Sequence, residues 1–428
     1  MQTGLSAKAD KADKADCLEV RHLDAEHVIV GGGLAGGLVA LALAQAGRGE
    51  GVILVEQGHA LGGNHTWSFH DADLDGAEHE LVADLVARRW PRHEVRFPAF
   101  TRTLSTGYAA ITSDDFRRTL TPRLLAAGVR LCFGEAVAEV QSESVLLMNG
   151  TRLTGRLVVD ARGPGRPVMP ASGPAGGGYQ KFVGLQLELA ADGPWSVPLL
   201  MDATVAQHDG YRFMYVLPFA PRRVLLEDTV YSGNSALDRP QYERRIHDFA
   251  TQAGARISRV VRREAGVLPL PSDDWFAAVP HPADETSALA VGYRGGFFHC
   301  VTGYSLPLAV RVAREIAAAA TARQARAGVA AIRRQIKAQG RFGRLLNRLM
   351  FQGMPPESRW TSFQRFYRLP EPTIARFYAS QSTWADGARV LVGRPPPGIA
   401  WRHLAAAPFT RRPFADEAAR QRKEAHQQ

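Results

Sequence analysis

His27-Val-Ile-Val-Gly-Gly-Gly-Leu-Ala-Gly36, followed through Leu38–Ala46 to Val52-Ile-Leu-Val-Glu56, is the stretch that decides the fold. His27–Val30 is a short apolar run that reads as a buried strand. Gly31 to Gly37 reads as a turn, Leu38 to Ala46 as a helix stopped by Gly47, and Val52–Val55 as a second buried strand. Strand, glycine turn, helix and strand within about 30 residues make a right-handed βαβ unit. Gly31-x-Gly33-x-x-Gly36 lets the backbone turn tightly and approach a pyrophosphate. The helix that starts there directs free amides and a positive dipole end at that anion. Glu56, at the end of the second strand, is placed to accept hydrogen bonds from ribose hydroxyls and would repel a 2′-phosphate. The unit is therefore expected to bind the adenosine half of a dinucleotide, with NADP disfavoured.

Two later segments narrow the dinucleotide. Leu157-Val-Val-Asp160-Ala-Arg-Gly163 and Leu289-Ala-Val-Gly292, continuing to Thr302-Gly303-Tyr304, resemble the second and third flavin-binding segments of FAD hydroxylases. The resemblance implies FAD, with Asp160, Gly163, Gly292, Thr302 and Gly303 beside it. It also implies a flavin hydroxylase-like α/β fold, in which a Rossmann FAD domain is interrupted by an antiparallel substrate domain and followed by a helical region. A likeness of this kind supports a fold and not a reaction.

The 428 residues suffice for two or three domains with a sizeable core, and 45% hydrophobic against 22% charged composition is that of a globular chain. The expected boundaries are a disordered tail to 25, an FAD part over 26–165 that includes substrate-domain strands near 95–112, and a substrate domain over 166–265. A second FAD part over 266–325, a helical region over 326–400 and a polar tail over 401–428 follow. The Gly- and Pro-rich stretch 163–178 marks the first crossing. Tyr211 to Phe219 and Val224 to Tyr231 read as a hairpin, and Ser113–Asp115 as the capped start of a helix.

A net charge of +10 fits an anionic cofactor or membrane surface. The sequence shows no nucleic-acid motif, so nucleic acid is not an expected partner. Cys17, Cys132 and Cys300 are isolated and odd in number, which fits reduced thiols in a cytoplasmic protein. No run reaches the ~18 apolar residues of a membrane span, so any membrane contact is expected to be peripheral. No metal-ligand spacing and no Ser/His/Asp arrangement stands out, so neither a metal nor an acyl-transfer triad is expected.

Val224-Leu-Leu-Glu-Asp-Thr-Val-Tyr231 places two carboxylates in an apolar strand. Side chains alternate along a strand, so Leu225, Glu227, Thr229 and Tyr231 share one face, while Val224, Leu226, Asp228 and Val230 share the other. Without a bulge, one acid faces a pocket and the other bonds within the protein. Burial would keep the pocket acid protonated near neutral pH, as a proton donor requires. The competing reading is a pair at a solvated edge, or one bound by Arg222 or Arg223.

The same strand, Leu225-Leu-Glu-Asp-Thr229, resembles the acidic signature of the FAD-dependent lycopene cyclases. Gly62-Gly-Asn-His-Thr-Trp-Ser-Phe69, Tyr211-Arg-Phe-Met-Tyr-Val-Leu-Pro-Phe219, Gly303-Tyr-Ser305, Phe363-Gln-Arg-Phe-Tyr367 and Gly393-Arg-Pro-Pro-Pro397 resemble the bacterial beta-cyclases of that family, from about residue 27 to 397. The resemblance implies an acid–base reaction without net oxidation. A carboxylic acid protonates the terminal double bond of an acyclic end of lycopene, the cation closes a six-membered ring, and loss of a proton gives the β-ionone ring, through gamma-carotene to beta-carotene. It implies reduced FAD with NAD(P)H as reductant, lycopene and related acyclic carotenoids as substrates, and Glu227 as general acid. Asp228 stands where plant relatives carry a second Glu, and the final base is open between Glu227, Asp228 and the flavin. The rival on this fold is a monooxygenase or a reductase of isoprenoid double bonds.

Tyr211, Phe213 and Tyr215 can present rings to a cation or serve as core. His65, His70 and His299 are read either as flavin or site contacts or as hydrogen-bonded structural histidines. The tract Ile332–Phe377 interleaves Arg333, Arg334, Lys337, Arg341 and Arg344 with Leu345, Leu346, Leu349, Met350 and Phe351. Such helices lie on anionic bilayers or belong to a helical domain with an ordinary solvated face. With a membrane-resident substrate the expected location is the inner face of the cell membrane.

Overall fold

Three parallel strands, His22–Val30, Val52–Glu56 and Arg152–Asp160, form the centre of a seven-stranded sheet. Apart from the half-buried Leu23, their Val, Ile and Leu side chains are buried on both faces, as a parallel sheet covered by other elements requires. A computed structural model describes residues 22–163, 177–274, 276 and 279–392. Arg130–Phe133 extends the sheet beyond Val52–Glu56, and Leu289–Ala290 pairs with Arg152–Asp160. All three segments expected near the dinucleotide thus end at one edge of one sheet. The first strand begins at His22, earlier than the expected start of order near Glu26, because pairing with Arg152–Gly155 extends it. The helix Leu34–Gln45 also starts before Leu38, directly after Gly33. Gly37 lets it approach its neighbour, since a Cβ there would lie 2.5 Å from the Phe116 ring. The helix Ser113–Ala126 is capped by Thr112, whose hydroxyl accepts the Asp115 amide, rather than by Ser113.

A second seven-stranded sheet runs in the order Ile257–Leu270, Gly178–Leu189, Arg223–Ser232, Tyr211–Ala220, Leu199–Asp202, His93–Phe97, Phe100–Leu104. It is antiparallel except where Leu199–Asp202 meets His93–Phe97. The strand after these, Tyr108–Thr112, instead joins Thr66–His70 and Arg88–Trp90 in a small third sheet. One face of the large sheet packs on the helix Arg239–Gln252 through Met214, Val216, Leu226 and Val230. The other presents Tyr211, Phe213, Leu225 and Tyr231 to a core shared with the C-terminal helices.

The long helix Ala322–Gly353 covers much of the basic tract. Arg333 is buried and donates to the carbonyls of Phe276, Val279 and Pro280, while Lys337 pairs with Asp274 and Arg348 with Asp273. Part of its basic face thus anchors the helix to the protein. Cys300 is a free thiol, as expected, and Cys17 lies outside the described residues. The charged start, most of the Gly/Pro stretch 163–178, the motif at 393–397 and the polar tail lie outside the described residues.

Candidate active site

At the glycine turn, Gly31 takes φ +105° and sits against Ala161, where a Cβ would lie 2.8 Å from the carbonyl oxygen. Gly36 allows the helix to pass over Gly31, since a Cβ there would overlap the Gly31 carbonyl oxygen. Gly33 is different. Among the described residues nothing lies within 4 Å of its would-be Cβ, and no side chain caps the first amides of the helix that follows. A phosphate can therefore reach those amides directly. Both oxygens of Glu56 are fixed from behind, by the amides of Gly32 and Gly58 at 2.7 Å each, and retain lone pairs for hydroxyl donors. Donor amides at one end and a fixed carboxylate at the other suit an adenosine diphosphate moiety, so these residues fit FAD.

A cavity of about 790 Å³ runs from this turn to the large sheet. Gly31, Gly33, Glu56, Gly163, Gly292, Thr302 and Gly303 all line it. Two expected cofactor residues do not. Gly36 serves helix–strand packing. Asp160 is buried under Arg162, at 2.8 and 2.9 Å, and Arg294, at 2.5 Å. Its carboxylate holds two guanidinium groups at the rim instead of facing the cavity. This corrects its assignment as a direct contact.

The hairpin Tyr211–Ala220/Arg223–Ser232 forms the far wall. Tyr215 pairs with Glu227 and Phe213 with Thr229 across the ladder. Phe213, Tyr215, Glu227 and Tyr231 face the cavity, whereas Tyr211 is buried behind them, stacked on Phe363 at 4.2 Å. Glu227 accepts a hydrogen bond from the Thr229 hydroxyl at 2.6 Å. Burial, reinforced by the negative charge of Glu264 and opposed by the Thr229 hydrogen bond, raises the Glu227 carboxyl to about 8. The group therefore carries its proton at neutral pH in a largely aromatic pocket.

Asp228 points the opposite way. Arg212 Nε lies 2.7 Å from one oxygen and Arg245 Nε 2.6 Å from the other, and the carboxylate is fully buried. No bulge turns it toward the cavity, so the expected share of Asp228 in proton chemistry is withdrawn. Its partners are also not Arg222 or Arg223, since Arg222 donates to the Leu189 carbonyl.

Of the three histidines, only His65 lines the cavity, packed on Trp67 and Phe182, with burial lowering its pKa. His70 is enclosed by His93, Tyr108 and Tyr378. His299 Nε2 donates to the Phe377 carbonyl and its Nδ1 accepts the amide of Thr302, shaping the turn below Gly303. No motif announces the hydroxyl chain Ser68–Tyr215–Tyr108–Tyr304, with steps of 2.9, 2.9 and 2.5 Å. Its members come from four distant segments, and no spacing rule joins them.

Residues 26–403 match the lycopene cyclase protein family. The chain belongs to that family. A lycopene beta-cyclase of Pseudescherichia vulneris is 42% identical over 382 residues, covering 88% of this chain and 96% of that protein. One from Pantoea ananas is 40% identical over 375 residues, covering 86% and 94%. Among solved structures, a geranylgeranyl bacteriochlorophyll reductase-like protein from Thermoplasma acidophilum superposes with a TM-score of 0.56 at 12% identity, covering 91% of this chain and 97% of that one. This last likeness concerns the fold alone, which is the α/β class expected from the sequence.

Within the lycopene cyclase frame, the Gly62–Phe69 motif acquires a structural account. Asn64 and Thr66 tie the loop to Arg262, Arg263 and Glu264, Ser68 holds Tyr215, and His65 and Trp67 wall the cavity.

Proposed function

We propose that the protein cyclises the acyclic ends of lycopene to β-ionone rings, as a beta-cyclase acting by acid–base chemistry without net redox change. One observation carries the reading: a buried carboxyl that keeps its proton to about pH 8 stands in an aromatic wall of the cavity that the glycine turn also lines. Glu227 delivers its proton to the terminal double bond. Phe213, Tyr215 and Tyr231 offer ring faces to the carbocation, which closes on the neighbouring double bond. With cofactor and the apolar substrate filling it, the cavity would exclude water that would trap the cation as an alcohol. Loss of a ring proton then restores neutrality, and Glu227, once ionised, is a base already in place.

The first amides of the helix Leu34–Gln45 and Glu56 would hold FAD, which in its reduced form, with NAD(P)H as reductant, would supply negative charge that favours a cation. Lycopene and related acyclic carotenoids are apolar, so delivery from the inner face of the cell membrane is part of this reading. Among the described residues no helix is long and apolar enough to cross a membrane. Trp384, Leu391 and Val392 are exposed on or beside the short helix Trp384–Leu391, together with Arg389, and suit contact with an anionic bilayer. Flotation with anionic liposomes is the check, and protein that stays soluble counts against it.

The same fold also supports a monooxygenase or isoprenoid reductase. Pigment analysis after expression in a lycopene-accumulating cell separates them. A cyclised product has the mass of lycopene, a reduced or hydroxylated one is heavier, and unchanged pigment would refute all three.

A further inference from the structure

Glu227, Gly184 and Glu264 stand side by side on three adjacent strands. Gly184 is in register with Glu227 on one side and with Glu264 on the other. Paired residues share a face, and Gly184 contributes no side chain between them. The space is already taken by Glu264, since a Cβ at Gly184 would lie 2.9 Å from Glu264 Cγ and 3.2 Å from its Oε1. Glu264 is itself buried. Its Oε2 accepts from Arg262 at 2.7 Å and from Thr66 at 3.0 Å, whereas its Oε1 is buried with no hydrogen-bond partner among the described residues. A lone buried carboxylate oxygen is costly, and such a cost is retained where it serves a site.

We propose that Glu264 is a positioning residue for the proton donor: its unsatisfied oxygen, aimed over Gly184, adds to burial a negative field that strengthens the hold of Glu227 on its proton. The inference rests on Glu227 being the acid. Glu264 does not line the cavity, so it acts through Glu227 and does not touch substrate.

Among the other described groups around Glu227, Asp228 adds to that field by less than Glu264, and the rest do not add to it. Tyr215, from the neighbouring strand, and Tyr231, from its own, are held neutral by burial. Asp228 lies on the far face, compensated by Arg212 and Arg245. Gly178–Leu189 brings Lys181 to the same far face, bound to Asp209. His65, packed on Phe182, is held neutral by burial. Arg262 binds the opposite end of Glu264 and partly offsets it. Two strand spacings are roughly 10 Å, and a unit charge at that distance in a partly polarisable interior changes proton affinity by about tenfold.

The test is the pH profile of turnover in the FAD-loaded enzyme with lycopene in lipid. The wild-type rate should fall above about pH 8. Glu264→Gln should move that fall to lower pH by about one unit, a tenfold change in proton affinity. The low-pH plateau, KM and bound flavin should be unchanged, and Glu264→Asp should restore the wild-type profile. Arg262→Gln should move the fall to higher pH, by exposing the charge it offsets. Disturbed packing would not shift the two variants in opposite directions. A Glu264→Gln rate lowered equally at every pH, or a fall left in place, overturns the proposal. If Glu264→Gln does not fold, an unmoved or downward-shifted profile in Arg262→Gln overturns it. A wild-type rate with no fall at all counts instead against Glu227 as the acid.

Discussion

On the cavity side of the strand Arg223–Ser232, Glu227 meets a threonine hydroxyl, aromatic rings and open space. One residue on, Asp228 meets two guanidinium groups and no space. The two carboxyls are chemically alike and share one backbone, yet neighbours divide their roles. Burial without a cation keeps the proton on Glu227. Burial between two cations keeps Asp228 as a bridge that bolts the helix Arg239–Gln252 to the sheet. Strand alternation, acting on two consecutive acids, separates proton donation from structure.

The largest effect that would break this contrast is on turnover. Glu227→Gln should lower cyclisation by about a thousandfold, within the usual range for a lost general acid, with flavin binding intact. Asp228→Asn should do the reverse. It leaves Arg212 and Arg245 uncompensated and should cost about 3–5 kcal/mol in urea unfolding, while the folded fraction retains turnover within a few-fold. Equal loss of activity in both variants would erase the distinction.

A third expectation concerns pH and stability. The folded protein holds the Glu227 proton up to about 8, whereas the unfolded chain releases it near 4.5. Between those values the folded state binds more protons, so this group's contribution makes stability fall as pH rises through that window. Glu227→Gln should remove that part of the slope, read as a smaller drop in Tm between pH 5 and pH 8. An unchanged slope would mean that Glu227 is already ionised.

The smallest effect tests the other end of the cavity. Gly33→Ala adds a methyl with no atom of the described residues within 4 Å, so the apoprotein should unfold at the wild-type temperature. Flavin affinity, by titration, should fall about tenfold as the methyl meets the pyrophosphate. Gly36→Ala is the contrasting case and should destabilise the apoprotein, because its methyl would overlap the Gly31 carbonyl.

Local patterns were legible because they follow from local physics. Gly31-x-Gly33-x-x-Gly36 with Glu56, the hairpin and the opposed facing of Glu227 and Asp228 all rest on turn chemistry or strand period. The partners were not legible. Asp228 finds Arg212 one strand away and Arg245 on the next helix, and Asp160 turns to Arg162 and Arg294, because burial of a carboxylate recruits whatever cation the fold brings near. Glu264 lay outside every motif, since only the register through Gly184 brings it alongside Glu227. The basic helix Ala322–Gly353 had the periodicity of a bilayer helix, but Arg333 spends its charge on internal carbonyls.

The most direct measurement is a pH-difference infrared titration of the carboxyl C=O stretch, with Glu227→Gln and Asp228→Asn beside the wild type. The expected result is a protonated carboxyl band present at neutral pH, lost with a midpoint of about 8, absent from Glu227→Gln and retained in Asp228→Asn. A wild-type spectrum without that band at neutral pH, or a band that survives Glu227→Gln, would contradict the assignment of Glu227 as the proton donor.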